Sequence, residues 1–336
     1  MSTTMTAGAG ESTGRGAGAT PPGRRAGRTT GAGGPAGRGT RSAVIDGVAM
    51  PGPFERTVKG IVLTIACALV ILPFVGIVST SLATPEQVTE AGGFVLLPTG
   101  IDLSAYQMIF AGGVVTQALW ISILVTAIGT TLSLALTTTL GWALSRKGAF
   151  GVRAMLLVVL ISLLFNPGII PSYLVVQRLG LLDTLWALII PTSVSAFNVV
   201  VVRAFFVQLP NEVIDAARID GATEWQLFWR IGLPLSKPVL AVVGLFYGVG
   251  YWNAFFNALL YLSDASKWPL QLVLRTYVVD GAQLGSQDLG IDAASLPPQT
   301  SLQMAILVVS IVPVLLVYPF LQRHFAKGML TGAVKG

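Results

Sequence analysis

Cysteine and histidine are almost missing from this chain: Cys67 and His324 are the only examples in 336 residues. An internal disulfide framework is therefore excluded, and a Cys/His metal site lacks its ligands. Cys67 falls inside an apolar run, where a thiol is expected to act as a small buried hydrophobe. Charge is scarce too. Only 11% of residues are charged, against about 25% in soluble domains, and mean hydropathy is +0.74. That deficit points to a membrane. No ionisable side chain stands in the middle of a long apolar run, which argues against an ion-coupled carrier with buried relays. No G-x-x-x-x-G-K-[ST] phosphate cradle occurs, so any nucleotide must bind on another chain. No Ser/His/Asp or metal constellation supports catalysis, and no cofactor is implied.

What is abundant divides the chain in two. Residues 1–53 are Gly, Ala, Thr, Pro and Arg with few large apolar side chains. Such a segment cannot bury enough surface to offset its ordering entropy and is expected to be disordered. The first apolar stretch begins near Ile61, too late for a cleaved signal peptide, and reads as an uncleaved anchor. Six runs then approach the ~20 apolar residues that cross a bilayer as helix. They lie near Ile61–Leu82, Ala118–Leu144, Ala154–Val176, Thr184–Phe206, Pro238–Leu260 and Leu302–Leu321. Pro167 and Pro171 should kink the third.

Basic residues set the orientation. They crowd the tail before span 1, the loop after span 2 (Arg146, Lys147, Arg153), the loop after span 4 (Arg203, Arg218, Arg230, Lys237) and the C-terminal tail. The alternate segments hold only Arg178, Lys267 and Arg275. By the positive-inside rule both termini are cytoplasmic. The net charge of +6 is thus a topology signal, and without a basic face or aromatic-lined groove it does not indicate nucleic acid. The outer segments Ala83–Gln117 and Ser263–Ser301 read either as solvated connections or as a platform for an external partner.

The segment between spans 4 and 5 carries a pattern. Asn211 after Pro210 can N-cap a first short helix, and Gly221 can end it in a left-handed conformation. Thr223 and Gln226 have capping-box spacing, followed by an apolar stripe of Leu227, Phe228 and Ile231. Physics alone leaves two readings: a helix pair inserted into a protein cleft, or an amphipathic pair lying on the membrane.

The residues themselves carry a resemblance. Asp215-Ala216-Ala217, three residues, Gly221, nine residues, then Ile231-x-Leu233-Pro234 resembles the EAA loop of bacterial ABC-importer permeases. Asp215 stands where that pattern usually has Glu. Asn198, Phe205–Pro210, Gly250–Asn253, Pro269–Leu274 and the ending Thr331–Gly336 are similar to carbohydrate permeases, nearest to the branch linked to complex-oligosaccharide and aldouronate uptake.

The resemblance implies an all-α integral membrane protein with six transmembrane helices in the type I importer permease fold. It implies a disordered cytoplasmic tail over 1–56, a permease domain over 57–336 and a coupling loop over 209–238. The implied contacts with a separate ATPase are Asp215, Ala216, Ala217, Asp220, Gly221, Phe228, Ile231, Leu233 and Pro234. Implied partners are a second homologous permease, two ATPase subunits or domains, an external solute-binding protein and membrane lipid, all at the bacterial cytoplasmic membrane. The implied cargo is a carbohydrate, in particular an oligosaccharide. A polyol or phosphorylated polyol is the alternative. An independent secondary carrier is disfavoured because no inverted repeat is visible.

A sugar path needs hydroxyl-pairing groups and flat apolar faces. Span 5 offers Tyr247, Tyr251, Trp252, Asn253, Phe256 and Asn257, with Asn253 and Asn257 four apart and so on one helical face. Span 4 adds Ser195 and Asn198. The candidates for the solute path are Tyr251, Trp252, Asn253, Asn257, Asn198 and Ser195. Interhelical hydrogen bonding and aromatic packing are equally available to them. Gly244-x-x-x-Gly248 is expected to allow close helix approach.

Overall fold

The computed structural model describes residues 44–45, 48–49, 52–146, 148, 150–285, 288 and 297–333; for 44–45, 48–49, 53 and 320–333 it describes the backbone alone. Most of the expected 1–56 tail lies outside the described residues. Within it, β1 (Val44–Ile45) pairs antiparallel with β2 (Val48–Ala49). The first helix begins at Pro53, earlier than the expected boundary, because proline is pre-organised for a helix's first position and loses nothing there by lacking an N–H.

All other described elements are helical. They are α1 (Pro53–Leu82), α2 (Pro85–Glu90), α3 (Ser104–Phe110), α4 (Val114–Ser145), α5 (Val152–Leu164), α6 (Ile169–Arg178), α7 (Trp186–Ile189) and α8 (Ala196–Val207). They continue with α9 (Asn211–Ile219), α10 (Glu224–Leu227), α11 (Leu233–Leu235), α12 (Lys237–Trp252), α13 (Phe255–Tyr261), α14 (Leu270–Leu274) and α15 (Gln299–Ala333).

Three stretches are long and apolar enough to cross a membrane: Phe54–Leu82, Val114–Ser145 and Gln299–Pro319. Two bent pairs raise the number to five if each counts as one span: Trp186–Thr192 with Ala196–Val207, at 50°, and Glu224–Leu235 with Lys237–Trp252, at 81°. The run expected as one kinked helix over 154–176 is instead two helices. The chain leaves helix before Pro167, where a residue preceding proline is pushed out of the helical region, and Gly168 takes φ +84°. Asn166 Oδ1 accepts the Gly168 N–H at 2.9 Å and closes the turn. Pro171 then sits harmlessly in the first turn of α6.

At the centre of the packing is α4, lying along α12 on one side and α8 on another. Small residues let the backbones approach. A Cβ on Gly244 would stand 3.1 Å from Leu134, and one on Gly129 would stand 2.8 Å from the Tyr251 ring. Hydroxyls then stitch the helices together. Thr137 Oγ1 meets Tyr247 Oη at 2.7 Å, and Ser133 Oγ meets Tyr251 Oη at 2.8 Å. Tyr247 Oη also accepts the Ser195 N–H at 2.9 Å, and Tyr251 Oη donates to Ile189 O at 3.2 Å. Trp252 Nε1 donates to Ser310 O of α15 at 3.1 Å. Where water is scarce, each such bond stabilises by roughly 0.6–2 kcal/mol.

The other long helix behaves differently. From Leu63 to Phe74, α1 leaves nearly every large side chain exposed, and Cys67 is exposed with them. The expectation of a buried thiol fails because an apolar run identifies a lipid-compatible surface as readily as a protein core. Contiguous exposed apolar surface on this scale marks a membrane or partner interface.

Candidate functional sites: the 209–238 loop and the cavity between broken helices

The 209–238 loop folds from local signals. Pro210 occupies the N-cap of α9 and Asn211 the first helical position, with no side-chain cap. The expected Asn211 cap is thus displaced by one residue, since Pro210, with φ −56° and ψ 121°, already makes the turn into the helix. At the other end Gly221, at φ +83°, closes a Schellman motif: Gly221 N–H donates to Arg218 O at 3.0 Å and Ala222 N–H to Ala217 O at 2.9 Å. Thr223 and Gln226 form the full capping box, with N–H to Oε1 at 2.9 Å and N–H to Oγ1 at 3.3 Å. The helix then widens into a π-turn over Phe228–Gly232 before α11.

One face of the loop is welded to the ends of α4 and α8. Ile214, Leu227 and Phe228 are buried with Trp142, Val202 and Phe206. The Trp142 ring meets Phe206 edge-on at 5.2 Å and Phe228 at 5.6 Å. Gly232 permits this contact, because a Cβ there would lie 2.5 Å from Trp142 Cζ3. Burial of each large apolar side chain is worth about 1.5–3 kcal/mol, which is ample to hold a short helix pair that would not persist alone.

The opposite face is open. Asp215, Ala216, Asp220, Gly221 and Pro234 are exposed, Ala217, Ile231 and Leu233 are half-buried, and Phe228 is buried. Ile219 stands 87% exposed and Trp225 62%, both beside this face. Arg218 bridges the two helices, reaching Glu224 Oε1 at 2.6 Å and Asp215 Oδ1 at 3.5 Å. The Glu224 hydrogen bond raises the Arg218 guanidinium above its ordinary value. Nearby, Arg146 stacks 3.6 Å over the Trp142 ring. Burial lowers its pKa, and Glu224 partly offsets this.

The second site is a cavity of about 450 Å³ where the bent pair α7–α8 faces α12 and α13. Ser195 N-caps α8, accepting the Asn198 N–H at 3.4 Å. Four of the six candidate residues line the cavity: Ser195, Asn198, Tyr251 and Asn257. Asn198 is only 5% exposed, and its side-chain amide has no hydrogen-bond partner among the described residues.

Trp252 and Asn253 do not line it. Trp252 belongs to a separate apolar groove between α4, α12 and α15, and Asn253 Nδ2 turns back to Val249 O at 3.0 Å. The expected shared face of Asn253 and Asn257 is corrected here, because the helix breaks at Asn253–Ala254 and the two belong to different segments. Phe197 and Phe246, whose rings lie 6.5 Å apart, also line the cavity and were not singled out. Their adjacency to Asn198 and Tyr247 was the available signal.

Comparison with known proteins agrees with this architecture. The family described as "Binding-protein-dependent transport system inner membrane component" matches residues 54–331. The chain belongs to that family, the permeases of ATP-binding-cassette importers. It is 41% identical over 283 residues to a polygalacturonan/rhamnogalacturonan transport system permease of Bacillus subtilis (strain 168), covering 84% of this chain and 98% of that protein. It is 44% identical over 269 residues to protein LplC of the same organism, covering 80% and 90%. One chain of a bacterial ABC transporter that imports the acidic polysaccharide alginate superposes with a TM-score of 0.75 at 30% identity, covering 83% of this chain and all of that one. The relatives are transport components, and so is this chain; it is not an enzyme.

Proposed function

We propose that this chain is a permease subunit of a carbohydrate importer, carrying oligosaccharides across the bacterial cytoplasmic membrane. In this reading it crosses the bilayer six times with both termini inside, pairs with a second permease, and receives solute from an external binding protein. The observation that carries the reading is the two-faced loop over 209–238. Its apolar face is fused to α4 and α8, while Asp215, Ala216, Asp220 and Gly221 are left open for an ATPase. Closure of an ATPase dimer would then move α8 and α12 together with the loop. The cavity would change the side it faces, driven by the different affinities of ATP for the two states. The loop transmits force and performs no chemistry.

Sugar as cargo is supported by the relatives, which are named for polygalacturonan/rhamnogalacturonan and alginate transport. It is also supported by a cavity that combines two amides with aromatic faces, including an Asn198 amide without a hydrogen-bond partner among the described residues. Few precisely placed polar groups in an otherwise apolar pocket is the usual build of a small-ligand site.

Reconstitution with both permeases, the ATPase and the binding protein tests both halves of the proposal. Ala216→Glu places a charge on the open face without touching the left-handed turn at Gly221. It should lower uptake about tenfold or more with insertion unchanged; normal uptake would sink the docking claim. Asn198→Ala with Asn257→Ala should raise the oligosaccharide concentration that half-maximally stimulates ATPase. An unchanged value would remove the cavity from the solute path.

A further inference from the structure

Where α13 packs against α6 and α7, the structure carries a cluster that this transport reading does not use. Asp183, in the turn between α6 and α7, is the non-glycine residue with positive φ among those described, at +57°. Aspartate is one of the few side chains that enter this region readily. Its N–H donates to Tyr261 O at the end of α13, at 2.8 Å. Its Oδ1 accepts the backbone N–H groups of Ser263 at 3.1 Å and Asp264 at 3.0 Å, and Oδ2 receives Lys267 Nζ at 2.7 Å. Lys267 also reaches Asp264 Oδ2 at 3.4 Å. Beside them the rings of Tyr173 and Tyr261 stack 6.3 Å apart.

The element held here cannot hold itself. α13 has 7 residues, too few for a stable isolated helix, and the break at Asn253–Ala254 frees it from α12. Ala254 and Asn257 nevertheless line the cavity wall facing Asn198. Hinged at one end, α13 takes its place from the core packing of Ala258 and Tyr261 and from whatever fixes the other end.

We propose that Asp183 is a positioning residue for transport: it pins the far end of α13, sets the spacing between Asn257 and Asn198, and stays closed throughout the cycle. A backbone bond, two backbone N–H groups on one carboxylate oxygen and an ion pair on the other make a fixed strut. A gate that opened each cycle would have to break all four at once. The proposal rests on the cavity being the solute path.

The test uses the complete reconstituted complex. Asp183→Ala removes the carboxylate and should raise the half-saturating oligosaccharide concentration about tenfold, with the half-saturating ATP concentration and the maximal rate unchanged. Asp183→Asn keeps an acceptor for the two N–H groups and tolerates the same φ, so the rise should be only about threefold. A general folding defect would instead lower insertion and maximal rate together, without rescue by Asn. In a Cys67→Ser background, Asp183→Cys and Lys267→Cys joined by a short bis-methanethiosulfonate should return half-saturation to the wild-type value while transport continues.

Unchanged half-saturation in Asp183→Ala overturns the proposal, as does arrest of transport by the bridge. If Asn198→Ala with Asn257→Ala also has no effect, the cavity reading has failed. If that pair weakens saccharide stimulation and Asp183→Ala does not, the strut alone has failed.

Discussion

The two ends of the segment from α7 to α13, the 209–238 loop and the Asp183 cluster, are held by different physics. At the loop end, contiguous residues cap and turn the helix pair, Gly221 in a Schellman motif and Thr223 with Gln226 in a capping box, and the pair so shaped then buries Phe228 on the distant Trp142. At the other end one aspartate draws its partners from residues about eighty positions away, through charge and backbone donors at an exposed turn. Local encoding with apolar burial suits a part that must move as one body under load. Long-range polar clamping suits a part that must hold position beside water. The first resists force through packing, and the second resists displacement through directional bonds.

The difference can be broken most severely at Gly232. Leucine there would drive a side chain into Trp142, already confined by Phe206 and Phe228. Overpacking costs about 1–3 kcal/mol, occasionally more, so Gly232→Leu should abolish or sharply lower the yield of folded permease, read as thermal stability in detergent. Between the two ends, Tyr247→Phe strips the hydroxyl that meets Thr137 and accepts the Ser195 N–H. It should destabilise by about 1–3 kcal/mol, seen as a lower melting temperature, and should weaken saccharide stimulation by loosening the start of α8.

Smaller still, Thr223→Ala removes the capping box of α10 and should cost about 1 kcal/mol. Its signature is faster proteolysis within 219–227 while the buried face stays protected.

The Asp183 strut should be insensitive to pH near neutrality. Asp183 lies below its ordinary value of 3.8, first because of the Lys267 hydrogen bond, then because of the Asp264 N–H. Asp264 is also lowered, chiefly by Ser266. Lys267 lies above its ordinary 10.5, first through Asp183. A lowered carboxylate contributes fully above 3.8 and loses that contribution only as pH falls through its folded value. A raised amine contributes fully below 10.5 and loses it only as pH rises through its folded value. Half-saturation by a neutral oligosaccharide should therefore stay flat between those limits. A change near neutrality would point to a group outside the strut.

How far the residues could be read ahead of the structure follows the same division. Thr223, Gln226 and Gly221 were legible because caps and left-handed turns depend on neighbours within a few positions. The break of the third run at Pro167 was legible in place but not in degree, since whether a helix kinks or ends depends on what can satisfy its freed carbonyls. Asn253 and Asn257 were placed on one face by helical spacing, and a break at Ala254 separated them. Cys67 was assigned to a core because hydropathy does not distinguish protein from lipid. Asp183 gave no warning: its partners at 261–267 are remote in sequence, and nothing in a turn of mixed residues announces them.

By itself the sequence determined that this protein belongs in a membrane, that its long apolar runs are largely helical, and where the 209–238 loop turns. Those properties come from hydrophobicity, proline and glycine, and capping residues acting over one or two turns. Tertiary structure alone decided which face of the loop is buried, which polar side chains of α12 are tied up in helix–helix bonds, and which amides remain free beside the cavity. Such outcomes depend on the approach of segments tens of residues apart. Tyr247 and Tyr251 reach hydroxyl partners on α4 there, while the Asn198 amide reaches none among the described residues.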